Sequence, residues 1–169
     1  HNPGSNMKLA SGIAPVEKML GAGITVGLGT DGASSNNNLD MVEEMRLAGL
    51  LHKIAGLDPT AVPASVCLEM ATRGGAACLG LADSIGSIEI GKRADIVLLD
   101  FGAPHLAPAG IADPVSHLVY AASGADVSAV VVDGCILMED RRLTTLDERE
   151  IMAKVERRAA RLADEANAK

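Results

Sequence analysis

The stretch Ile24-Thr25-Val26-Gly27-Leu28-Gly29-Thr30-Asp31-Gly32 decides how the rest of the chain is interpreted. It is a short run of β-branched and small apolar residues that ends in a carboxylate and continues into the polar loop 33–38. A run this short, bounded by glycines, favours a buried parallel strand over 24–30 rather than a helix. Asp31 would then lie at the carboxyl end of the strand, where α/β folds bind their ligands. An aspartate that only forms a turn explains the same residues equally well, because Asp and Gly are common in turns.

Gly27, Gly29 and Gly32 also match the glycine spacing of dinucleotide-binding loops. That fingerprint requires a helix to begin directly after the glycines, so that its amide groups bind pyrophosphate. Here a loop rich in Ser and Asn follows, and Asp31 would place a negative charge beside the phosphates. We therefore reject a dinucleotide site.

The composition narrows the class of protein. The 169 residues suffice for a domain with its own core, and that core must be aliphatic because the chain has one Phe, one Tyr and no Trp. A net charge of −7 argues against a nucleic-acid partner. No apolar stretch reaches the roughly 18 residues of a membrane span, so no membrane partner is expected. Three scattered cysteines without a CxxC pair predict a cytoplasmic location, and we interpret Cys67, Cys78 and Cys135 as small buried side chains.

The opening residues His1-Asn2-Pro3-Gly4-Ser5-Asn6 are typical of the polar loop that follows a strand. No strand and no Met precede them in this sequence. We therefore expect the chain to be the remainder of a longer protein.

Hydrophobic periodicity and turn residues predict the elements that follow. Pro15 begins a helix over 15–22, and Asn38 or Asp40 caps a helix over 40–55. Pro63 opens a helix over 63–72, which Gly74-Gly75 breaks before a short Ala-rich segment carries on to Leu81. The apolar stripe of the middle helix is predicted to be Met41, Met45, Ala48, Leu51 and Ala55.

The second half of the chain is predicted to be richer in strands, beyond a boundary near 82–84. Strands are expected over 86–90, 94–100, 127–132 and 135–138, forming a small sheet separate from the strand 24–30, and a short helix over 115–122. Asp133-Gly134 favours a type I′ hairpin turn. Thr145 and Glu148 match a capping box that opens a charged helix ending near Ala166.

Three segments together resemble the amidohydrolase superfamily, in its branch of 5-methylthioadenosine/S-adenosylhomocysteine deaminases and triazine hydrolases. They are His1-Asn2-Pro3 with Ser5 to Gly12, the loop from Gly27 to Asn37, and Leu39 to Arg46. The pattern Gly86-x-Ile88-x-x-Gly91-x-x-Ala94-Asp95-Ile96-Val97 is similar to the return of the superfamily into its small β domain. Ser116 to Tyr120 and the Asp133-Gly134 hairpin also fit that branch.

The resemblance implies an α/β fold: the last units of a metal-dependent (β/α)₈ barrel, followed by the carboxyl-terminal strands of a small β-sandwich domain. The implied division is 1–82 for the barrel part, 83–143 for the small β domain and 144–169 for a charged terminal helix. It also implies that the missing barrel portion of the same protein is a partner. Because the strand 24–30 would expose its edges without that portion, we further expect a homo-oligomer.

The implied function is hydrolytic deamination of an adenosine-type or related N-heterocyclic substrate. By the same match Asp31 is a ligand of a divalent metal, Zn or Fe, and accepts a proton from the water bound to it. His1, Asn2, Ser35 and Asn36 are candidate substrate contacts, although turn formation and loop hydrogen bonds explain them as well.

The family's histidine ligands lie on strands that this sequence does not contain. We therefore expect the chain to be inactive alone, because a zinc site needs three or four converging ligands. Asp95 is predicted to have a structural role. Two alternatives stay open: a cyclic-amide hydrolase of the same superfamily, and a binding or assembly module without catalysis.

Overall fold

The computed structural model describes residues 1–111 and 113–167. Its helices in chain order are α1 (Pro3–Lys8), α2 (Val16–Gly21), α3 (Ala33–Asn36), α4 (Met41–Gly56), α5 (Ala64–Glu69), α6 (Gly75–Cys78), α7 (Pro114–Tyr120) and α8 (Glu148–Asn167). The strands are β1 (Ile96–Leu99), β2 (Val127–Val132), β3 (Cys135–Glu139) and β4 (Arg142–Leu143). This mixture confirms the α/β content expected from the sequence.

Within the described residues the strands form one antiparallel sheet in the order β1-β2-β3-β4. Asp133 and Gly134 both have positive φ in the β2–β3 turn, which fits the type I′ hairpin predicted from the Asp-Gly pair. Asp95 accepts a hydrogen bond from the backbone N–H of Asp133 at 2.7 Å, so it ties the start of β1 to this turn. That contact agrees with the structural role expected for Asp95.

The prediction of a strand over 24–30 is wrong: the structure describes all of these residues, and they form no strand. A strand is defined by its backbone hydrogen bonds to a neighbouring strand, and this segment makes only two such bonds to His1. The amino group of His1 donates to the Gly27 carbonyl at 2.7 Å, and the Gly29 N–H donates to the His1 carbonyl at 3.0 Å. These two bonds follow the slanted pattern of parallel strands. The segment therefore pairs in the expected parallel direction, but the pairing is too short to form a strand.

The break predicted at Gly74-Gly75 is wrong, because the helical run that starts at Ala64 passes through both glycines. The chain continues through a π-helical turn over Met70–Gly74 into α6. A Cβ on Gly74 would lie 2.5 Å from the Val26 carbonyl oxygen, and one on Gly27 would lie 3.0 Å from the Gly75 Cα. The glycines therefore allow the helix and the segment 24–30 to pack with their backbones in close contact.

Three other predictions of local structure are wrong. The opening loop contains α1, because Pro3 suits the first turn of a helix. Residues 86–90 form a loop whose Ile88 and Ile90 are exposed, since no strand among the described residues pairs with them. The capping box at Thr145 is replaced by Asp147, whose carboxylate accepts from the Glu150 N–H at 3.0 Å.

The core is aliphatic, as the composition predicted, and lies where α4, α5 and α7 meet. Its fully buried side chains are Val16, Ala48, Cys67, Met70, Leu106, Val119 and Ala122. Cys78 and Cys135 are exposed, so the prediction of burial holds for Cys67 alone. In the described part of the chain, no helix combines the length and apolar character that a membrane crossing requires.

Candidate active site around Asp31

Asp31 follows the segment 24–30 and has φ of +62°, a left-handed conformation that non-glycine residues rarely adopt. In this conformation the carboxylate faces α1 and the short helix α3. Ser5 Oγ donates to Asp31 Oδ2 at 2.7 Å, and Ser35 Oγ lies 2.8 Å from the same oxygen. The backbone N–H of Gly32 donates to Oδ1 at 2.7 Å. Asp31 is thus an exposed carboxylate whose orientation is fixed by three donors.

These donors also set the charge of the group. The hydrogen bond from Ser5, followed by those from Ser35 and the Gly32 amide, lowers the pKa of Asp31 below its ordinary value. Asp31 is therefore ionised at neutral pH. A carboxylate offers about four acceptor positions, and here Oδ2 has two donors while Oδ1 has one. Oδ1 keeps an acceptor position for a cation or a proton.

Of the other predicted site residues, His1 and Asn2 precede Asp31 in the chain, whereas Ser35 and Asn36 follow it on α3. His1 and Asn2 run beside the segment 24–30, where the amide group of Asn2 donates to the Gly29 carbonyl at 2.8 Å. The His1 ring contacts His52, with the two Nε2 atoms 3.2 Å apart. Burial lowers the pKa of His52, which favours its neutral form.

Ser35 is the candidate that directly contacts Asp31. The amide of Asn36 has two partners: its nitrogen donates to Glu44 Oε1 at 2.7 Å, and its oxygen accepts from the Leu39 N–H at 2.7 Å. The role of these residues in substrate contact stays a prediction.

Sequence reasoning missed Ser5 as a partner of Asp31 and Glu44 as a buried residue. Both are almost completely buried, with exposed fractions of 3% and 1%. A signal for Glu44 was present, because it lies three residues after Met41 and four before Ala48, on the side of the helix predicted to be apolar. The buried face of α4 consists of Val42, Glu44, Met45, Ala48, Gly49 and His52. Leu51 and Ala55 are not buried, so the predicted stripe is displaced around the helix.

The geometry of Asp31 suits one ligand of a divalent cation, since the carboxylate is ionised, exposed and oriented. Within residues 1–111 and 113–167, however, no three His, Cys, Asp or Glu side chains converge to form a metal site. His105 bonds Asp126 in the half of the chain that contains the sheet, at 3.0 Å. The described residues therefore offer one candidate ligand and do not by themselves form a metal site.

Residues 1–137 match the sequence model of the amidohydrolase family. The chain belongs to the amidohydrolase family. It is 58% identical over 164 residues to a 5-methylthioadenosine/S-adenosylhomocysteine deaminase of Desulforudis audaxviator, a match that covers 97% of this chain and 38% of the relative. A deaminase of the same name from Pelotomaculum thermopropionicum is 56% identical over 164 residues, covering 97% of this chain and 37% of the relative.

The fold also matches solved amidohydrolase structures. An adenosine deaminase of Xanthomonas campestris with bound zinc superposes with a TM-score of 0.92 at 40% identity, over 97% of this chain and 37% of that protein. The atrazine chlorohydrolase of Arthrobacter aurescens complexed with zinc gives 0.81 at 37% identity, over 91% of this chain and 34% of that protein. The chain thus spans little more than a third of the length of these relatives.

Proposed function

We propose that this chain is the carboxyl-terminal part of a metal-dependent aminohydrolase that removes an amino group from an adenosine-type or related N-heterocyclic substrate. The observation that carries the proposal is the 58% identity to a deaminase across almost the entire chain. In this proposal residues 1–82 are the end of a (β/α)₈ barrel, 83–143 are part of a small β-sandwich domain, and 144–169 are a terminal helix. The cytoplasmic location belongs to the same proposal.

Asp31 is the residue that we assign to metal binding and proton transfer. A divalent metal, when bound, supplies Lewis acidity and lowers the pKa of a coordinated water. Ser5, Ser35 and the Gly32 amide keep the Asp31 carboxylate ionised and fixed, with Oδ1 the oxygen that has an acceptor position left. The ionised form is the one that can bind a cation and accept a proton, which are the two roles that we assign to Asp31.

The remaining assignments concern the metal and the substrate. Zinc is supported by the zinc-bound deaminase and chlorohydrolase that the chain resembles, and iron stays an alternative. His1, Asn2, Ser35 and Asn36 are proposed to lie at the substrate side of the site. The rest of the barrel, from the same protein, would supply the other metal ligands.

A chimera tests this proposal. In the deaminase of Desulforudis audaxviator the segment of 164 matching residues is replaced by this chain, which the 58% identity makes feasible. We expect zinc-dependent release of ammonia from 5-methylthioadenosine or S-adenosylhomocysteine. A folded, metal-loaded chimera without this activity would contradict the proposal. Chloride release from a chlorinated triazine in place of deamination would also contradict it and would indicate an activity like that of the chlorohydrolase.

A further inference from the structure

Glu44 is a buried carboxylate that bonds to uncharged groups. Oε2 accepts from the backbone N–H of Gly4 at 3.0 Å, and Oε1 accepts from the Asn36 amide at 2.7 Å. Within the described residues no Lys, Arg or His forms an ion pair with it. Burying a carboxylate without a cation costs free energy, so its presence at this position requires an explanation.

Both partners of Glu44 are adjacent in sequence to a serine that contacts Asp31. Gly4 precedes Ser5, and Asn36 follows Ser35. These two serines are the residues whose hydroxyls meet at Asp31 Oδ2. One side chain on α4 therefore connects α1 and α3, the two short helices that orient the carboxylate.

The fit between Glu44 and α1 is close. A Cβ on Gly4 would lie 2.3 Å from Glu44 Oε1, so the absence of a side chain at position 4 makes room for the carboxylate. The Asn36 amide is equally constrained, because its oxygen accepts from the Leu39 N–H while its nitrogen donates to Glu44. The position of each hydrogen-bonding group is thus determined by its neighbours.

We propose that Glu44 is a positioning residue for Asp31, which fixes Gly4 and Asn36 and thereby holds Ser5 and Ser35 on the Asp31 carboxylate. The consequence for catalysis rests on the proposed function. The consequence for the geometry of Asp31 is independent of the proposed function.

The substitution E44Q tests the role of Glu44. A glutamine has one acceptor oxygen, so its NH₂ group would face either the Gly4 N–H or the Asn36 NH₂ group, both of which are donors. Asn36 cannot rotate by half a turn to relieve this without losing the bond from Leu39. The double variant E44Q/N36D exchanges the acid and the amide: the carboxylate at position 36 accepts from both the amide at position 44 and the Leu39 N–H. This exchange also keeps the net charge.

Two measurements follow the position of Asp31. In the chain itself, the carboxyl ¹³C resonance of Asp31, assigned with D31N, should shift in E44Q and return in the double variant. In the chimera, kcat should fall about 10- to 100-fold in E44Q with a smaller change in KM. Glu43, on the same turn of α4 and bonded to the exposed Asn38, provides the matched control: E43Q should change neither quantity.

An unchanged Asp31 resonance in folded E44Q, or a resonance that does not return in the double variant, would overturn the proposal. If E44Q fails to fold by circular dichroism, N36A replaces it, since this variant removes one contact at the loop and should still shift the resonance. An unshifted resonance in N36A would also overturn the proposal. A chimera that is inactive before any substitution counts against the proposed function alone, because the resonance still tests Glu44.

Discussion

At the scale of single residues, the site depends on donors that reach Asp31 from outside its own strand-like segment. Ser5 precedes Asp31 by 26 residues and is nearly buried, while Ser35 lies one helical turn after it. Both hydroxyls stabilise the ionised carboxylate, so Asp31 carries a negative charge at neutral pH.

We expect D31N and D95N to separate chemistry from structure in the chimera. D31N removes the negative charge and the proton acceptor, and kcat should fall by about 10²- to 10⁴-fold because positioned acid–base groups contribute that much. Its metal content should fall less, since the proposed function assigns the other ligands to the rest of the barrel. D95N alters a contact with the Asp133 amide and should lower the melting temperature but leave kcat near normal. The test measures metal content and kcat for both variants. An active D31N variant would show that catalysis was assigned to the wrong aspartate, and so would a D95N variant that is folded and metal-loaded but inactive.

We expect the hydrogen bond between His105 and Asp126 to make the stability of the fold depend on pH. The hydrogen bond from His105 is the main cause that lowers the pKa of Asp126, and the Ser123 amide and hydroxyl add to it. A lowered pKa in the folded state contributes stability above the ordinary value of about 3.9, and this contribution is lost as the pH falls below it. Urea unfolding should therefore show a difference between the natural chain and D126N that is largest near pH 7 and shrinks towards pH 3. A difference independent of pH would contradict this assignment.

At the scale of the elements, α4 is the helix that connects the site to the core. Asp40 caps its first turn, with Oδ1 accepting from the Val42 N–H at 2.8 Å, as the sequence predicted. Its Oδ2 accepts from the Gly124 N–H at 2.9 Å, 84 residues away. Arg46 on the same helix donates to the carbonyl oxygens of Val119 and Ala122 at the end of α7. The helix is thus bonded to the sheet-containing half of the chain through both residues.

This double contact makes Asp40 more important than an ordinary cap. D113A removes a purely local cap of α7 and should lower the free energy of unfolding by about 1 kcal/mol. D40A removes a cap and leaves the Gly124 N–H without its carboxylate, so the loss should reach about 2 to 3 kcal/mol. Urea unfolding of both variants provides the comparison. Equal losses would indicate that the bond to Gly124 contributes nothing.

At the scale of the whole molecule, the described chain leaves a large apolar surface open. A cavity of about 1040 Å³ lies between α4, the helical run from Ala64 to Cys78 and the sheet. Leu79 and Ile88 line it while being largely exposed, at 72% and 84%. Exposed apolar surfaces of this kind mark places where other protein segments pack.

We expect the isolated chain to self-associate through this surface. Light scattering should report a mass that rises with concentration. L79E places a charge in the cavity and should reduce association, whereas I54E, at a residue equally exposed on α4 and outside the cavity, should not. A clean monomer at high concentration would refute the expectation.

The isolated chain should also be unable to catalyse deamination. Asp31 alone cannot replace a site of three or four ligands, so zinc should bind weakly and ammonia should not be released from adenosine-type substrates. Calorimetry with zinc and an ammonia assay test this directly. Turnover by the isolated chain that D31N abolishes would show that the described residues suffice. Turnover that survives D31N would point to a contaminating enzyme.

The sequence by itself determined the elements whose signals are local. The helices 40–55 and 63–72, the Asp40 cap, the Asp-Gly hairpin and the aliphatic core all follow from periodicity, capping and turn chemistry, which act over a few residues. The motif around Asp31 also identified the family, which the match over residues 1–137 confirms.

Only the tertiary structure decided features that depend on distant partners. The segment 24–30 forms no strand, because a strand exists only when it pairs with a neighbouring strand elsewhere in the chain. Gly74-Gly75 allows close packing instead of ending a helix, because Val26 lies against it. Ser5 and Glu44 join the surroundings of Asp31 through hydrogen bonds that span 26 and 40 residues. Such contacts leave no periodic signal in a single sequence, and folding alone brings their partners within hydrogen-bond distance.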